Sequence, residues 1–412
     1  MTTHVVDKGE GHRWTFALML AMLAMLAPFS IDTYLPAFPA VEQSLHASYL
    51  QVQQTLTTYL FTYAVMMLWH GSISDAVGRR PVILASLVVF LVSSIACALA
   101  STIGQLLVFR GMQGLAAGAG VVVGRAIIRD RFQDAQAQRL MSHVTLFFAV
   151  APAIAPLIGG LILAYFNWHG IFVFLGIICG LLLLLCLWRL DETLPLSHRQ
   201  SLHPISLAKN YWMVFKKPEF QWLGASQAFN FGGFFIYVMA APVLLIRHLN
   251  LTSQQFAWFF IPAVIGMMTG AFMSGRFAGR LSPPRTIRLA YWVMFGSSLA
   301  NVVYCLVLPP ALPWSILAPT IYCGGMSLAM PSVTLTLLDM FPRNRGLVSS
   351  LQAFCQTMVG VLVAGALVPV LAESPLWLAL GMLAFVIVGA CCWLAYRFVV
   401  KRKIPVLQKS PI

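Results

Sequence analysis

One acidic residue, Asp32, stands inside a long run of apolar residues near the start of the sequence. The residues around it read Ser-Ile-Asp-Thr-Tyr-Leu-Pro over positions 30–36. Of the chain's 12 acidic residues, it is the only one that we place inside a hydrophobic span. A carboxylate in hydrocarbon costs about 3 kcal/mol or more, so an acid at such a place usually marks a functional site. We therefore predict that Asp32 takes up and releases a proton.

Arg110 is the cation that we expect within a hydrophobic span. It stays charged because arginine is strongly basic. Within a membrane span it needs a carboxylate, water or an anionic ligand. At 1.5 Å per helical residue, Asp32 and Arg110 lie roughly 12 Å and 9 Å from the outer ends of their spans, so they share a depth. Two interpretations remain open. Either Arg110 adjusts proton binding by Asp32, which would give antiport if substrate competes with the proton, or the two form a fixed ion pair between two helices.

The composition identifies the elements that must hold these residues. The chain is 59% hydrophobic and 9% charged, whereas soluble domains carry about 25% charged residues. Its apolar runs are too long for the strands of a membrane barrel. We predict an all-α integral membrane protein with twelve transmembrane helices, at 14–38, 50–70, 81–100, 104–127, 140–164, 168–189, 220–245, 254–275, 286–308, 314–338, 346–371 and 376–399.

The distribution of basic residues predicts the orientation. All but two of the 26 Lys and Arg residues, Arg110 and Arg247, lie beside alternate span ends, in the central loop or at the termini. The positive-inside rule then places both termini of this multi-pass protein in the cytoplasm. The net charge of +14 is thus an orientation signal, and we expect no nucleic-acid partner.

The spans fall into two halves separated by the longest connection. Residues 1–190 are predicted to form one six-helix bundle and residues 220–412 a second, with a short cytoplasmic tail. A cytoplasmic linker covers 191–219 and begins Asp-Glu-Thr-Leu-Pro. Short connections elsewhere make consecutive helices antiparallel neighbours. This pattern is typical of two bundles around a central substrate cavity.

Three motifs in the first half resemble those of the major facilitator superfamily. The loop after span two matches G-x-x-x-D-x-x-G-R-[KR], and span four matches R-x-x-Q-G. Span five partly matches the exporter motif G-x-x-x-G-P-x-x-G-G, with Ala151 and Ala155 in place of its first two glycines. The small residues allow close helix packing. The resemblance implies a role in conformational gating for Gly71, Asp75, Gly78, Arg79, Arg80, Gln113, Gly114, Pro156, Gly159 and Gly160.

Further segments resemble the Bcr/CflA group of drug:proton antiporters. They are residues 27–37, the Asn-Trp-His-Gly-Ile-Phe run at 167–172, and the Asp-Glu-Thr-Leu-Pro run at 191–195. The resemblance implies the major facilitator fold and proton-driven export of bicyclomycin-like or chloramphenicol-like drugs, with no cofactor beyond the proton gradient. It assigns proton coupling to Asp32 and a supporting role to Arg110. It also implies small-molecule drugs, protons and membrane lipid as partners, and a monomer by analogy.

Aromatic and amide side chains within the spans are predicted to line the substrate cavity, since aromatic faces suit flat drugs and amides orient them. Ordinary packing between helices is the alternative for each. The candidates are Tyr34, Tyr59, Tyr63, Asn230, Phe234, Tyr237, Gln352 and Gln356. We find no catalytic triad, metal cluster or ATP motif, and predict that the chain is not an enzyme. Two other functions stay open: a proton symporter for a small organic anion clamped by Arg110, and a membrane receptor that transports nothing.

Overall fold

The computed structural model describes residues 10–132, 134–199, 202–342 and 344–400, and within them all regular structure is helical. The first half contains eight helices: α1 Glu10–Asp32, α2 Phe38–Ser44, α3 Tyr49–Val77, α4 Arg79–Ala98, α5 Ile103–Ala117, α6 Ala119–Arg131, α7 Asp134–Tyr165 and α8 His169–Arg189. After the linker helix α9 Pro204–Phe215 follow α10 Pro218–Pro242, α11 Ala257–Phe277, α12 Pro283–Val307, α13 Trp314–Met340, α14 Arg345–Leu362, α15 Val368–Leu371 and α16 Pro375–Ala395.

Within the described part of the chain, ten helical stretches are long and apolar enough to cross a membrane. The expected second and fifth spans coincide with helices α3 and α7, but these are not among the ten; α7 contributes the shorter apolar stretch Val150–Tyr165. The chain is therefore a multi-pass membrane protein, and each of the twelve expected spans falls on one helix or on consecutive helical segments.

The first expected span is not one continuous helix. Helix α1 ends at Asp32, a helical turn covers Leu35–Ala37, and α2 continues from Phe38 to Ser44. Pro36 cannot donate a backbone hydrogen bond, which favours an interruption at this place. The sequence analysis had assumed that Asp32 lies within a regular helix. It lies instead at the end of one.

Other spans are interrupted in a similar way. The fourth breaks at Gly118, between α5 and α6. Spans seven and eleven contain π-helical turns at Val243–His248 and Val363–Leu367, each adjoining a proline-containing segment. Such turns are uncommon within helices and often occur at functional sites.

Glycines bring the helices of the first half close together. A Cβ atom on Gly114 of α5 would overlap the Tyr59 carbonyl oxygen of α3. On α7, a Cβ on Gly159 would overlap the carbonyl oxygen of Thr33, the residue after Asp32. The contacts are backbone against backbone, which is why only glycine fits.

The two halves meet at the end of the molecule that carries Glu42, here called the Glu42 end. Helix α3 packs against α14, and α7 packs against α11. The Arg247 side chain donates to Glu42 at 3.2 Å, and the amide of Gln54 donates to the carbonyl of Gly365 at 3.1 Å. Polar contacts thus close the molecule between its halves at this end.

At the opposite end, here called the Asp75 end, a charge network lies within the first half and its linker. The Arg79 guanidinium pairs with Asp75 at 2.5 Å and with Asp130 at 3.0 Å. The ion-pair partner of Asp75 is thus Arg79, on the adjoining helix. The Glu192 carboxylate accepts the backbone N–H groups of Arg79 at 3.0 Å and Arg80 at 3.3 Å.

The electrostatics of Glu192 follow from these contacts. Partial burial raises the pKa of its carboxyl, but N–H bonds from Leu194, Arg79, Arg80 and Thr193 outweigh burial and hold the pKa below its ordinary value. These bonds favour the ionised form. Glu192 therefore caps the start of α4 as an anion.

The 191–219 linker contains a helix that the sequence analysis did not predict. Helix α9 begins at Pro204, a favourable first position because proline lacks the N–H that would be unpaired there. The hydroxyl of Tyr211 donates to the Leu68 carbonyl of α3 at 3.1 Å. Helix α9 also packs against α10 and α14 of the second half.

Candidate functional site

The Arg110 side chain is fully buried in the first half. Its Nη1 donates to the hydroxyl of Ser30 on α1 at 2.8 Å and to Oε1 of Gln113 at 2.5 Å. The Gln113 amide nitrogen in turn donates to Ser94 of α4 at 2.8 Å. Arg110 therefore joins three helices through a chain of neutral polar groups.

Three aromatic rings surround the guanidinium. Its central carbon lies 4.3 Å from the ring centroid of Tyr59, 4.9 Å from that of Tyr34 and 5.8 Å from that of Phe172. The faces of such rings attract cations. Two predicted cavity residues, Tyr34 and Tyr59, thus already hold an internal cation.

No carboxylate compensates this buried charge among the described residues. Asp32 and Arg110 form no ion pair within the 4.0 Å that defines one. In addition, Nε and Nη2 of Arg110 have no hydrogen-bond acceptor. The fixed ion pair considered as an alternative is therefore not the arrangement that this structure contains.

Asp32 is buried, with 5% of its surface exposed. Ser30, which binds Arg110, lies two positions before it, and such side chains point about 200° apart on a helix. The structure gives the Asp32 carboxyl no ion-pair partner among the described residues. A buried carboxyl group without a cation is stable chiefly in its protonated, neutral form.

Tyr59 and Tyr63 lie one turn apart on α3 and stack, with ring centroids 6.3 Å apart. The hydroxyl of Tyr59 donates to the Ala27 carbonyl at 3.2 Å, and that of Tyr34 is bonded to Thr55 at 3.0 Å. Tyr63 is only half-buried. Of the three tyrosines, Tyr63 is thus the one with part of its surface free for a ligand.

A small cleft lies between α10, α13 and α14 in the second half. Gln356 and Asn230, both predicted from the sequence, are among its lining residues, together with Gln227 and Met326. Gln352 donates through its amide to Gln227, and to Thr334 at 3.1 Å. A neutral polar cluster therefore borders an otherwise apolar cleft.

Three predicted cavity residues of α10 make packing contacts with neighbouring helices. The amide nitrogen of Asn230, which also lines the cleft, donates to the Tyr291 hydroxyl at 3.0 Å. Asn301 donates to the hydroxyl of Tyr237 at 2.6 Å, and Phe234 stacks on Phe259 with centroids 6.3 Å apart. These contacts tie α10 to its neighbours α11 and α12.

The predicted gating residues fall at helix contacts and helix ends. Gly78 has a positive φ of 116° and connects α3 to α4. Gly71 lies beside Val122 of α6, and Gly160 approaches the backbone at Ser253 in the second half. Pro156 lies inside α7, one turn before Gly160. Arg80 donates to the Leu187 carbonyl at 3.0 Å, which joins α4 to α8.

Several contributors were not identified from the sequence. Ser30, Ser94 and Phe172 surround Arg110 and Gln113, and nothing in their local sequence distinguishes them from packing residues. Gln227 offered a signal, because it is an amide one turn before Asn230 within the same apolar span.

Comparisons with known proteins agree with this architecture. Residues 20–364 match the Major Facilitator Superfamily. The chain is 28% identical over 389 residues to a bicyclomycin resistance protein homolog of Haemophilus influenzae, covering 94% of this chain and 97% of the relative. It is 27% identical over 391 residues to multidrug resistance protein D of Escherichia coli, covering 92% and 94%.

A solved structure confirms the predicted fold. The crystal structure of a bacterial homolog of the human lysosomal transporter Spinster superposes with a TM-score of 0.73 at 17% identity, over 95% of this chain and 98% of that one. At that identity the likeness concerns the fold alone. Together with the match over residues 20–364, it establishes that the chain belongs to the Major Facilitator Superfamily of membrane transporters and is not an enzyme.

Proposed function

We propose that the protein is a proton-coupled antiporter that exports small hydrophobic or amphipathic drugs from the cytoplasm by alternating access. The names of its bacterial relatives, a bicyclomycin resistance homolog and a multidrug resistance protein, support drugs as the substrate class. The basic loops support cytoplasmic termini, and the bacterial relatives support a place in the inner membrane. The proton gradient would supply the energy, and no cofactor is needed.

The observation that carries the proposal is the separation of Asp32 from Arg110. Among the described residues, Asp32 is a buried acid without a paired cation, and Arg110 is a buried cation without a paired acid. Protonated Asp32 is neutral and compatible with this separation. Loss of the proton would create a charge that Arg110 attracts, so the two protonation states favour different arrangements of α1 and α5.

Drug binding then couples to the proton by mutual linkage. A substrate that binds the arrangement with ionised Asp32 more tightly must promote release of the proton, and protonation must weaken its binding by the same factor. The half-buried Tyr63 and the amides of Gln227 and Gln356 are the proposed contacts for the substrate.

Alternating access also requires a barrier on one side of the site. The closed contact at the Glu42 end would provide this barrier. With the proposed orientation this is the outer side, so the site would be closed toward the outside. Rocking of the two halves would open the Glu42 end and close the other.

The test is drug-induced proton release from detergent-purified protein in weakly buffered solution, over a small antibiotic panel. We expect wild type to release protons, Asp32→Asn to release none, and Glu373→Gln, which removes an exposed acid, to behave as wild type. Drug binding without proton release by wild type would contradict proton antiport. Equal release by Asp32→Asn would move the proton site elsewhere.

A second candidate is symport of a small organic anion with a proton. The two unbonded nitrogens of Arg110 favour it, because a carboxylate accepts such paired N–H groups. Its three-ring enclosure and full burial oppose it. Proteoliposomes separate the candidates: symport moves substrate and protons in the same direction, and antiport moves them in opposite directions.

A further inference from the structure

The linker helix α9 has one face that packs on the protein. Val214 is buried, Leu207 and Tyr211 are half-buried, and the Tyr211 hydroxyl binds the Leu68 carbonyl of α3. These three residues follow the spacing of one helix face. Helix α9 is thus held in place against α3, α10 and α14.

The opposite face of α9 is apolar and exposed. Ile205 is 74% exposed and Trp212 is 55% exposed. They lie seven positions apart, which places them on one side of a helix. An exposed isoleucine and tryptophan on the same side of a docked helix mark that side as a candidate interaction surface.

The chemistry of this face points to an anionic surface. Lys209, Lys216 and Lys217 are exposed, and the segment 202–217 contains no acidic residue. None of the three lysines forms an ion pair among the described residues. The Nζ atom of Lys216 lies 5.0 Å from the ring centroid of Trp212. Tryptophan next to lysine is typical of helices in the boundary layer of a membrane.

The position of α9 favours lipid over a protein partner. Only two residues separate its last residue, Phe215, from α10, which is long and apolar enough to span the membrane. The Trp212 ring stacks on Phe215 with centroids 5.9 Å apart, and the Phe215 ring packs at a tilt against Phe220 of α10 with centroids 6.3 Å apart. The apolar face of α9 therefore runs on into a membrane-spanning helix and lies at the level of the bilayer surface.

We propose that α9 lies in the plane of the membrane interface and binds anionic phospholipid headgroups through Lys209, Lys216 and Lys217. Ile205 and Trp212 enter the boundary between headgroups and acyl chains. Helix α9 contacts α3 of the first half and α14 of the second. Lipid bound to α9 therefore stabilises a contact between the two halves at the Asp75 end.

The test measures amide hydrogen exchange of residues 202–217 in the full-length protein, in nanodiscs of phosphatidylcholine alone and of phosphatidylcholine with one quarter phosphatidylglycerol. Each lysine near an anionic bilayer favours the bound helix about fivefold. We expect slower exchange with phosphatidylglycerol for wild type, by at least tenfold. The triple variant Lys209→Gln, Lys216→Gln, Lys217→Gln should lose this difference.

A matched control removes the same charge from another loop at the same end. Arg276→Gln, Arg280→Gln, Arg285→Gln should keep the lipid-dependent protection of α9, and Trp212→Ser should weaken protection in both bilayers. Equal exchange of wild type in the two bilayers would refute recognition of anionic lipid. Protection that depends on two transporters per nanodisc instead of on lipid would assign the face to a second copy and overturn the proposal.

Discussion

Two neighbouring glutamines affect the stability of the closed contact between the halves at the Glu42 end. Gln53 is fully buried, and neither atom of its amide has a hydrogen-bond partner among the described residues. The Tyr49 hydroxyl, one turn away, is also buried and unpaired. Tyr49 faces Arg247 of the second half, at 5.4 Å from ring centroid to guanidinium carbon. The closed Glu42 end therefore buries unpaired polar groups, whereas Gln54 contributes a bond across the contact.

Replacement of these glutamines should have opposite effects. Gln53→Met removes a buried unpaired amide and should favour the closed end by about 1–3 kcal/mol, whereas Gln54→Met removes a bond to Gly365 and should favour opening by about 1 kcal/mol. Spin labels on cysteines introduced at the exposed Ser44 and Glu373 would report the separation of the halves. If both variants changed the distance between the spin labels in the same direction, the opposite roles proposed for Gln53 and Gln54 would be contradicted.

At the scale of the element, the first turn of α4 depends on a side chain from the linker. Glu192 binds the N–H groups of Arg79 and Arg80, which are unpaired within the helix because they start it. Gly78 makes room for this contact, since a Cβ atom there would overlap the Glu192 carboxylate. The motif glycine and the linker acid are thus parts of one cap.

Glu192→Gln should lower stability by about 1–2 kcal/mol near neutral pH, because an anion at a helix N-terminus is lost. The pKa of Glu192 is depressed in the folded protein. Its contribution is therefore complete above the unfolded value of about 4.3 and disappears as the pH falls through the lower folded pKa.

Thermal melting in detergent at pH 7 and at stepwise lower pH would measure the difference between wild type and Glu192→Gln. Asp191→Asn is the matched control, one residue away on an exposed side chain. A stability difference that stays constant down to pH 3 would contradict a charge-based cap.

For the whole molecule, function depends on whether the contact between the halves at the Glu42 end opens. Thr57 of α3 and Gly365 of the π-helical turn after α14 meet there, and a Cβ atom on Gly365 would lie 3.8 Å from the Cβ of Thr57. Disulfides span Cβ separations of about 3.5–4.5 Å. A disulfide between these two positions can therefore cross-link the two halves.

The double variant Thr57→Cys, Gly365→Cys should lose at least 90% of transport on oxidation and regain it on reduction, since a locked end prevents alternating access. Each single variant, oxidised in parallel, controls for the eight native cysteines. Transport by the cross-linked protein at the wild-type rate would show that this end need not open.

Much of this architecture could be predicted from the sequence. The long apolar runs require helices because backbone groups in lipid must be paired within the segment. The cost of charge in hydrocarbon singled out Asp32 and Arg110, and the glycine motifs predicted close helix contacts. The assignments of site residues remain predictions, since they concern function that the experiments above address.

Only the tertiary structure decided which of these groups meet. Depth along two helices placed Asp32 and Arg110 at one level, but helix rotation turns Ser30 toward Arg110 and gives Asp32 no ion pair with it. Packing between the helices also encloses Arg110 in aromatic rings from α3, from α8 and from the turn after α1. The linker helix was not predicted because its one buried face depends on the bond from Tyr211 to α3 and on contacts with α10 and α14. Sequence fixes composition and spacing along each helix, whereas rotation, breaks at residues such as Gly118 and packing between helices arise from long-range contacts.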